Sequence, residues 1–575
     1  MPFSVTSRPQ WGAMLCLTAS LCAVLACRQA RAHAPKTGGD APPIEDRIPM
    51  LTGEQASDLE GKIQRLTARL FPSVVRIWEQ DEKGRAFDEK GNPTRGGGSG
   101  VIISDDGLVL TCAHHGQAPN TPVTIELADG KRVPGVHLGR FALSDQQNTY
   151  PDLGMVRILE RGKWPVAPIG PANAPEPGTL CLAIGYPGNL LPGRPPMMRL
   201  GRTIPYTGGI KATVGFLPGD SGGPLFDLSG QVLGVLHGED YAAGEYQSVA
   251  PLGKHRKDLE AGKVPAESTP SVRVMSSSPL FQGAFAAEPV LRTKLTEAGL
   301  CAVQILDGVT PVAWGMAVDP DGWVVTKRTL VDGREDLNCR LSWTLNGDVI
   351  VSAKVVAMSV EHDLALLRLD PAQVRRINPN GLPVPQWADT APRVGQLVAT
   401  PLGWSALLFG VVGVETRRED PLPFDQAQIM LEVKAGPKGE PIIAGVPRFI
   451  LSPEADGFRR AFKPGDVMTQ LNGIPTPTLE EYGRVNDRLL YVLGPDGKPI
   501  TPLTSAPGSL AGEPVQVTVL RNGKEVTIRM VRIHSSGISP VLWKMVPPSL
   551  RRDGFPAVFA HDGRLRPDQC GGPLL

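Results

Sequence analysis

Gly219-Asp220-Ser221-Gly222-Gly223-Pro224 is the stretch on which the reading of this chain turns. Glycines on both sides of a hydroxyl let the backbone bend tightly and aim the amides of Gly219 and Ser221 at one point, where side chains would block an approaching carbonyl. Hydrolysis of an amide at neutral pH needs such a nucleophile, a base with a pKa near 7, a carboxylate to orient that base, and donors for the oxyanion. Upstream, Thr111-Cys112-Ala113-His114 ends a β-type run and presents His114 at the start of a turn as candidate base. Asp152 opens the apolar run Leu153 to Ile158 and is the candidate orienting acid; its rival Asp145 leads into no such strand. His115 reads as a loop neighbour, and His237 either lines the cleft or is packed. Cys112 and Cys181, on apolar runs, read as buried thiols rather than nucleophiles.

Short β-type runs split by Gly, Asp and Pro surround these residues: 73–78, 100–104, 108–111, 123–127, 155–159, 180–184 and 232–236. That spacing suits an all-β barrel. A helical pattern at Leu59, Ile63, Leu66 and Leu70 precedes them, and a polar helix from Leu252 to Gly262 closes the unit. With Gly98-Ser99-Gly100-Val101-Ile102-Ile103 ahead of the histidine and the order His, Asp, Ser, these segments resemble the chymotrypsin-like serine proteases, and more closely the bacterial HtrA (Deg) type, over roughly residues 55 to 262. The resemblance implies a double six-stranded β-barrel in which His114, Asp152 and Ser221 meet at the cleft between barrels, with Gly219 and Ser221 forming the oxyanion hole. Asp220 departs from the pattern: HtrA members usually carry Asn there, and secreted trypsins carry Asp to hold a freed amino terminus. No activation cleavage site is evident. In such folds the residues just before the serine form the specificity pocket. Here they are uncharged, so Gly215, Phe216 and Leu217, with His237, imply cleavage after small or medium apolar side chains, with Phe216 narrowing the space.

The next segment repeats the first. Asp321-Gly322-Trp323-Val324-Val325-Thr326 echoes Asp106-Gly107-Leu108-Val109-Leu110-Thr111, and Asp363-Leu364-Ala365-Leu366-Leu367-Arg368 echoes Asp152-Leu153-Gly154-Met155-Val156-Arg157. In this copy Thr329 stands in the histidine slot and cannot act as a base near pH 7, so Asp363 has nothing to orient. Two segments compete for the serine slot: Gly436-Pro437-Lys438-Gly439-Glu440-Pro441, and Arg566 to Leu574 with Cys570, the better match. The second choice makes residues 440 to 535 an insertion and the chain end a truncated second barrel. Within that insertion, Phe462-Lys463-Pro464-Gly465-Asp466-Val467-Met468 and the runs 515–519 and 523–526 resemble a PDZ domain, a family that binds an extended C-terminus as an added strand. Ala444-Gly445-Val446 is the expected carboxylate loop; an ordinary hairpin domain without ligand is the alternative.

The expected fold is therefore mainly β: tandem chymotrypsin-like double β-barrels, the second degenerate, plus a PDZ-like α+β domain. The expected boundaries are a signal peptide at 1–32, a linker at 33–55, a trypsin-like domain at 56–262, a linker at 263–280, a degenerate second trypsin-like domain at 281–440, a PDZ-like domain at 441–535 and a C-terminal segment at 536–575. With 575 residues the chain is too long for one core. Fifty-nine Lys and Arg against 58 Asp and Glu leave a net charge of +1, which gives no global reason to bind nucleic acid. Arg8 followed by the uncharged stretch Pro9 to Cys27 reads as a secretory signal, cut before His33 or lipidated at Cys27, with an uncleaved anchor as the alternative. An extracytoplasmic location follows, with the membrane reached only through that segment. No Cys-x-x-Cys pair and no clustered histidine suggests a metal, and no cofactor is expected. The expected partners are unfolded proteins or peptides and a C-terminal peptide; HtrA proteins often form trimers, so a homo-oligomer is compatible. The expected activity is secreted, ATP-independent serine endopeptidase on unfolded or damaged proteins, against a non-catalytic peptide-binding scaffold or chaperone.

Overall fold

Thr52 starts the first helix, α1 (Gly53–Leu70): its hydroxyl accepts from the Gln55 N–H, and the Gln55 side chain accepts from the Thr52 N–H. This reciprocal cap satisfies two of the donors left free at a helix start. Ile63, Leu66 and Leu70 then bury one face against the barrels. The computed structural model describes residues 49–575 apart from 143–150, 188–193, 267–283, 342–348, 419–426, 446–460, 490–513, 535–554 and a few single residues or pairs. The expected leader with Cys27, Asp145 and most of the 263–280 linker lie outside the described residues.

The first copy is built from β1 (Val74–Glu79), β2 (Gly97–Ile102), β3 (Leu108–Thr111), β4 (Pro122–Glu126), β5 (Arg132–Arg140) and β6 (Gly154–Ile158), closed in the order β1-β2-β3-β6-β5-β4. A second closed barrel follows: β7 (Leu180–Gly185), β8 (Met197–Ile204), β9 (Ile210–Ala212), β10 (Pro224–Asp227), β11 (Val232–Asp240) and β12 (Ala243–Ser248), then helix α2 (Leu252–Glu260). Closure removes the unpaired edges that an open sheet would expose. One apolar core runs between them, with Leu110, Met155, Ile184, Leu200 and Phe226 among its members.

The repeat is structural as well as sequential. After helix α3 (Pro289–Ala298), strands β13 (Ala302–Asp307), β14 (Thr310–Asp319), β15 (Trp323–Lys327), β16 (Leu337–Leu341), β17 (Val349–Ser359) and β18 (Leu364–Leu369) close in the order β13-β14-β15-β18-β17-β16, which is the order of the first barrel shifted by twelve. The partner barrel of this copy is reduced to three described strands: β19 (Leu397–Leu402), β20 (Ala406–Arg417) and, from the C-terminal segment, β21 (Val558–His561). Between β20 and β21 the chain forms a separate sheet with its own core of Ile443, Met468, Leu471, Val515, Val517 and Val519. That sheet begins at Glu432, ahead of the expected boundary at 441, because Glu432–Ala435 pairs with Pro441–Gly445. Ala444 and Gly445 therefore lie in a paired strand rather than a free loop, and Val446 is outside the described residues. Gly436 to Glu440 is the turn of this hairpin, with the Gly436 N–H donating to the Glu440 carbonyl.

The two copies are strapped together by Asp562, whose carboxylate accepts from the Leu200 N–H on β8 at 2.7 Å and from the Val411 N–H on β20 at 2.6 Å. An unsatisfied buried donor costs about 1–3 kcal/mol. Asp562→Ala should therefore lower the unfolding free energy by roughly 2–5 kcal/mol, read as a shift of the urea midpoint, whereas Asp562→Asn should lose less.

Candidate active site

His114 and Asp152 are brought together by the ends of two paired strands, β3 and β6. The Asp152 carboxylate makes two contacts with the same residue: Oδ1 accepts from the His114 backbone N–H at 2.9 Å, and Oδ2 lies 2.6 Å from the ring Nδ1. The Asp152 N–H in turn donates to Gln247 Oε1 at 3.3 Å. This grip fixes the imidazole with Nε2 facing away from the carboxylate. Burial works against the imidazolium, yet the Cys112 sulfur and the Asp152 carboxylate both favour it, and the net shift of the His114 pKa is upward. Burial also opposes the Asp152 carboxylate, but His114 and His237 outweigh it and its pKa falls. His237 approaches the same carboxylate oxygen, Nδ1 to Oδ2 3.8 Å, with burial lowering its own pKa.

The serine turn packs onto the end of β3. The Ser221 carbonyl accepts from the Ser99 N–H at 2.7 Å. Gly222, at φ +81, leaves no room for a side chain: a Cβ there would lie 2.2 Å from both the Ser99 carbonyl oxygen and Thr111 Oγ1. Within the turn the N–H groups of Asp220, Gly222 and Gly223 donate to Leu217, Leu236 and Asp220 carbonyls. Among the described residues those of Gly219 and Ser221 donate to none, so two amides remain available for an oxyanion. Among the described residues no hydrogen bond joins the Ser221 hydroxyl to His114; the ring Nε2 instead lies 3.6 Å from Cys112 Sγ. Cys112 is a buried thiol, fully inaccessible with burial raising its pKa, and it touches the imidazole, a contact that its apolar run does not signal.

Asp220 is buried and forms an ion pair with Arg199 on β8 at 3.0 Å, while its Oδ2 accepts from the Leu217 N–H at 2.8 Å. Burial raises the Asp220 pKa and Arg199 opposes that rise. The residue that departs from the HtrA pattern thus has an internal cation, one for which sequence gave no signal. Beneath the turn lies a cavity of about 10 Å³ lined by Arg199, Phe216, Asp220, Leu236 and Tyr246. That is room for about one water. Leu217 is exposed and Gly215 half-buried.

The second copy reproduces the scaffold with different side chains. The Thr329 N–H donates to Asp363 Oδ1 at 2.9 Å, as His114 does to Asp152, and the threonine hydroxyl donates to Oδ2 at 3.0 Å where the imidazole stood. Lys327 Nζ lies 2.5 Å from the same carboxylate. The Cys570 carbonyl accepts from the Trp314 N–H at 2.9 Å, matching the Ser221 to Ser99 bond, and Gly571 at φ +96 crowds Trp314 and Thr326 as Gly222 crowds Ser99 and Thr111. Cys570 therefore occupies the position that Ser221 has in the first copy.

The trypsin-like peptidase domain family matches residues 98–235 and again 313–425, one match in each copy. HhoA of Synechocystis sp. is 29% identical over 35% of this chain and 56% of its own length. The serine protease PepD of Mycobacterium tuberculosis is 26% identical over 57% of this chain and 70% of its own. A protein of Halomonas elongata named a probable periplasmic serine endoprotease DegP-like is 30% identical over 24% of this chain and 28% of its own. The chain spans about half the length of HhoA and a smaller part of the DegP-like protein. The closed six-stranded barrels and both matches define a chain that carries trypsin-like peptidase domains of the chymotrypsin fold. Its relatives are serine proteases of the HtrA and DegP type.

Removing one partner of a buried ion pair costs about 3–5 kcal/mol because the other charge is stranded. Arg199→Met should therefore destabilise the fold by about that amount in chemical denaturation, and adding Asp220→Asn should recover part of the loss.

Proposed function

We propose that this chain is a serine endopeptidase of the HtrA type in which Ser221 attacks, His114 takes its proton, Asp152 orients the imidazole, and the Gly219 and Ser221 amides hold the oxyanion. The observation that carries the reading is the two-point grip of Asp152 on His114 beside a serine turn with two undonated N–H groups. Attack on a peptide carbonyl gives a tetrahedral intermediate, His114 passes the proton to the leaving amine, and water then hydrolyses the acyl-enzyme by the same route. For this the Ser221 hydroxyl and the His114 Nε2 must approach each other, and the cavity of about 10 Å³ must widen; the geometry described above corresponds to a resting state. Uncharged Gly215, Phe216 and Leu217, with His237 beside Asp152, favour small or medium apolar side chains next to the cleaved bond.

The substrates are unfolded or damaged proteins outside the cytoplasm. The reading of residues 1–32 as a secretory signal and the periplasmic name of the DegP-like relative support that location. The Thr329, Asp363 and Cys570 site lacks a base and has no catalytic role. The inserted sheet from Glu432 takes a C-terminal peptide in the manner of a PDZ domain; its Pro464-Gly465-Asp466 turn is anchored by the Asp466 to Arg521 pair at 2.6 Å. A non-catalytic peptide-binding scaffold is the competing reading, favoured by the missing serine to histidine bond.

Fluorophosphonate labelling separates the two. Wild-type protein should label at one site, Ser221→Ala should not, and Asp152→Asn should slow labelling by about 10⁴-fold; well-folded wild type that never labels favours the scaffold. Because the neutral imidazole is the active form and its pKa is raised, the labelling rate should fall with acid through a midpoint above 6.5.

A further inference from the structure

We propose that Cys112, His114 and His115 form a binding site for a zinc-type divalent cation. One ligand atom from each of the three lies within 4.8 Å of the others, and no other such group of three occurs among the described residues. The three lie within the four consecutive residues Cys112 to His115, and the turn after β3, closed by the Gly116 N–H donating to the Ala113 carbonyl, brings their ligand atoms together. Cys112 Sγ and His114 Nε2 are 3.6 Å apart. Tetrahedral zinc, with bonds of about 2.3 Å to sulfur and 2.0–2.1 Å to nitrogen, separates such a pair by about 3.5 Å. The His115 ring lies 4.6 Å from the His114 ring, centre to centre, and is packed close to Gly98, which holds its orientation.

The supporting shell is already in place. A metal-bound imidazole is fixed by a carboxylate on its other ring nitrogen, which is the contact Asp152 makes with His114 Nδ1. His115 is partly buried beside His114 and offers one ring nitrogen to the group. Binding forms the sulfur to metal and the His114 Nε2 to metal bonds and releases to solvent the thiol proton of Cys112 and any proton carried on Nε2. His114 is half-exposed, which gives the ion a route in and leaves a fourth position for water. A bound ion would take the Nε2 lone pair that a general base needs. Metal binding stands without the peptidase reading; its inhibitory effect rests on that reading.

Cobalt(II) is the probe, added to the full chain. A thiolate to cobalt charge-transfer band with intense tetrahedral d–d bands, saturating at one equivalent and displaced by zinc, is expected. The charge-transfer band should vanish in Cys112→Ala, and His115→Gln should weaken cobalt affinity at least tenfold while near-ultraviolet circular dichroism reports an intact fold. Bands that persist unchanged in Cys112→Ala, or a weak octahedral spectrum in wild type, would overturn the site. Ser221→Ala should keep every band, so a failure of the peptidase reading leaves this test intact. If both hold, zinc should slow fluorophosphonate labelling of wild type at least tenfold and be reversed by a chelator; unaffected labelling in a protein that binds the metal overturns the inhibitory role.

Discussion

A single carboxylate that clamps one residue at two points organises the amino-terminal half of this molecule. Asp152 holds both the backbone and the ring of His114, and in doing so fixes the end of β3 against the start of β6. A buried carboxylate accepting charge-assisted hydrogen bonds is worth more than a neutral contact of the same length. The serine turn then docks on that fixed end through Ser99 and Thr111, with Gly222 as the point of closest approach. The turn that carries Ser221 thus rests on β2 and β3, and β3 is also one of the two strands that position His114, although Ser221 lies 69 residues beyond Asp152 and 107 beyond His114 in the chain.

The second copy shows that this scaffold is separable from its chemistry. Asp363 keeps the backbone contact to the slot residue, and Cys570 keeps the backbone contact to Trp314, but hydroxyl and ammonium groups fill the space of an imidazole. Asp363 even takes a positive φ of 54° to do so. Arg328, at 3.7 Å, and Lys327 neutralise its charge, which removes the tension that an unpaired buried carboxylate would carry. The second copy also seats β20 against the first through Asp562.

Much of this was legible in the chain. Leu108–Thr111 and the start of β11 at Val232 were read to the residue, since apolar runs bounded by Asp-Gly or Gly-Gln turns leave little choice of period. Strands such as Arg132–Arg140 and Met197–Ile204 were missed: Arg132, Pro134 and Gly135, or Arg199, Gly201 and Arg202, break the expected alternation, and only closure of a barrel makes those residues pair. The Asp152 contact to His114 followed from motif order. The Arg199 partner of Asp220 did not, because a buried cation carries no local pattern, and neither did the meeting of Cys112 with the imidazole, because the direction of a side chain two residues before a turn depends on the turn itself.

The most direct test is a crystal structure of the chain reacted with a peptide boronic acid, which mimics the tetrahedral intermediate. The account predicts boron bonded to Ser221 Oγ, one boronate oxygen within hydrogen-bond distance of the Gly219 and Ser221 N–H groups, and His114 Nε2 turned from Cys112 to the adduct while Asp152 keeps both of its contacts. A structure in which the inhibitor leaves Ser221 unmodified, with His114 still facing Cys112, would contradict it.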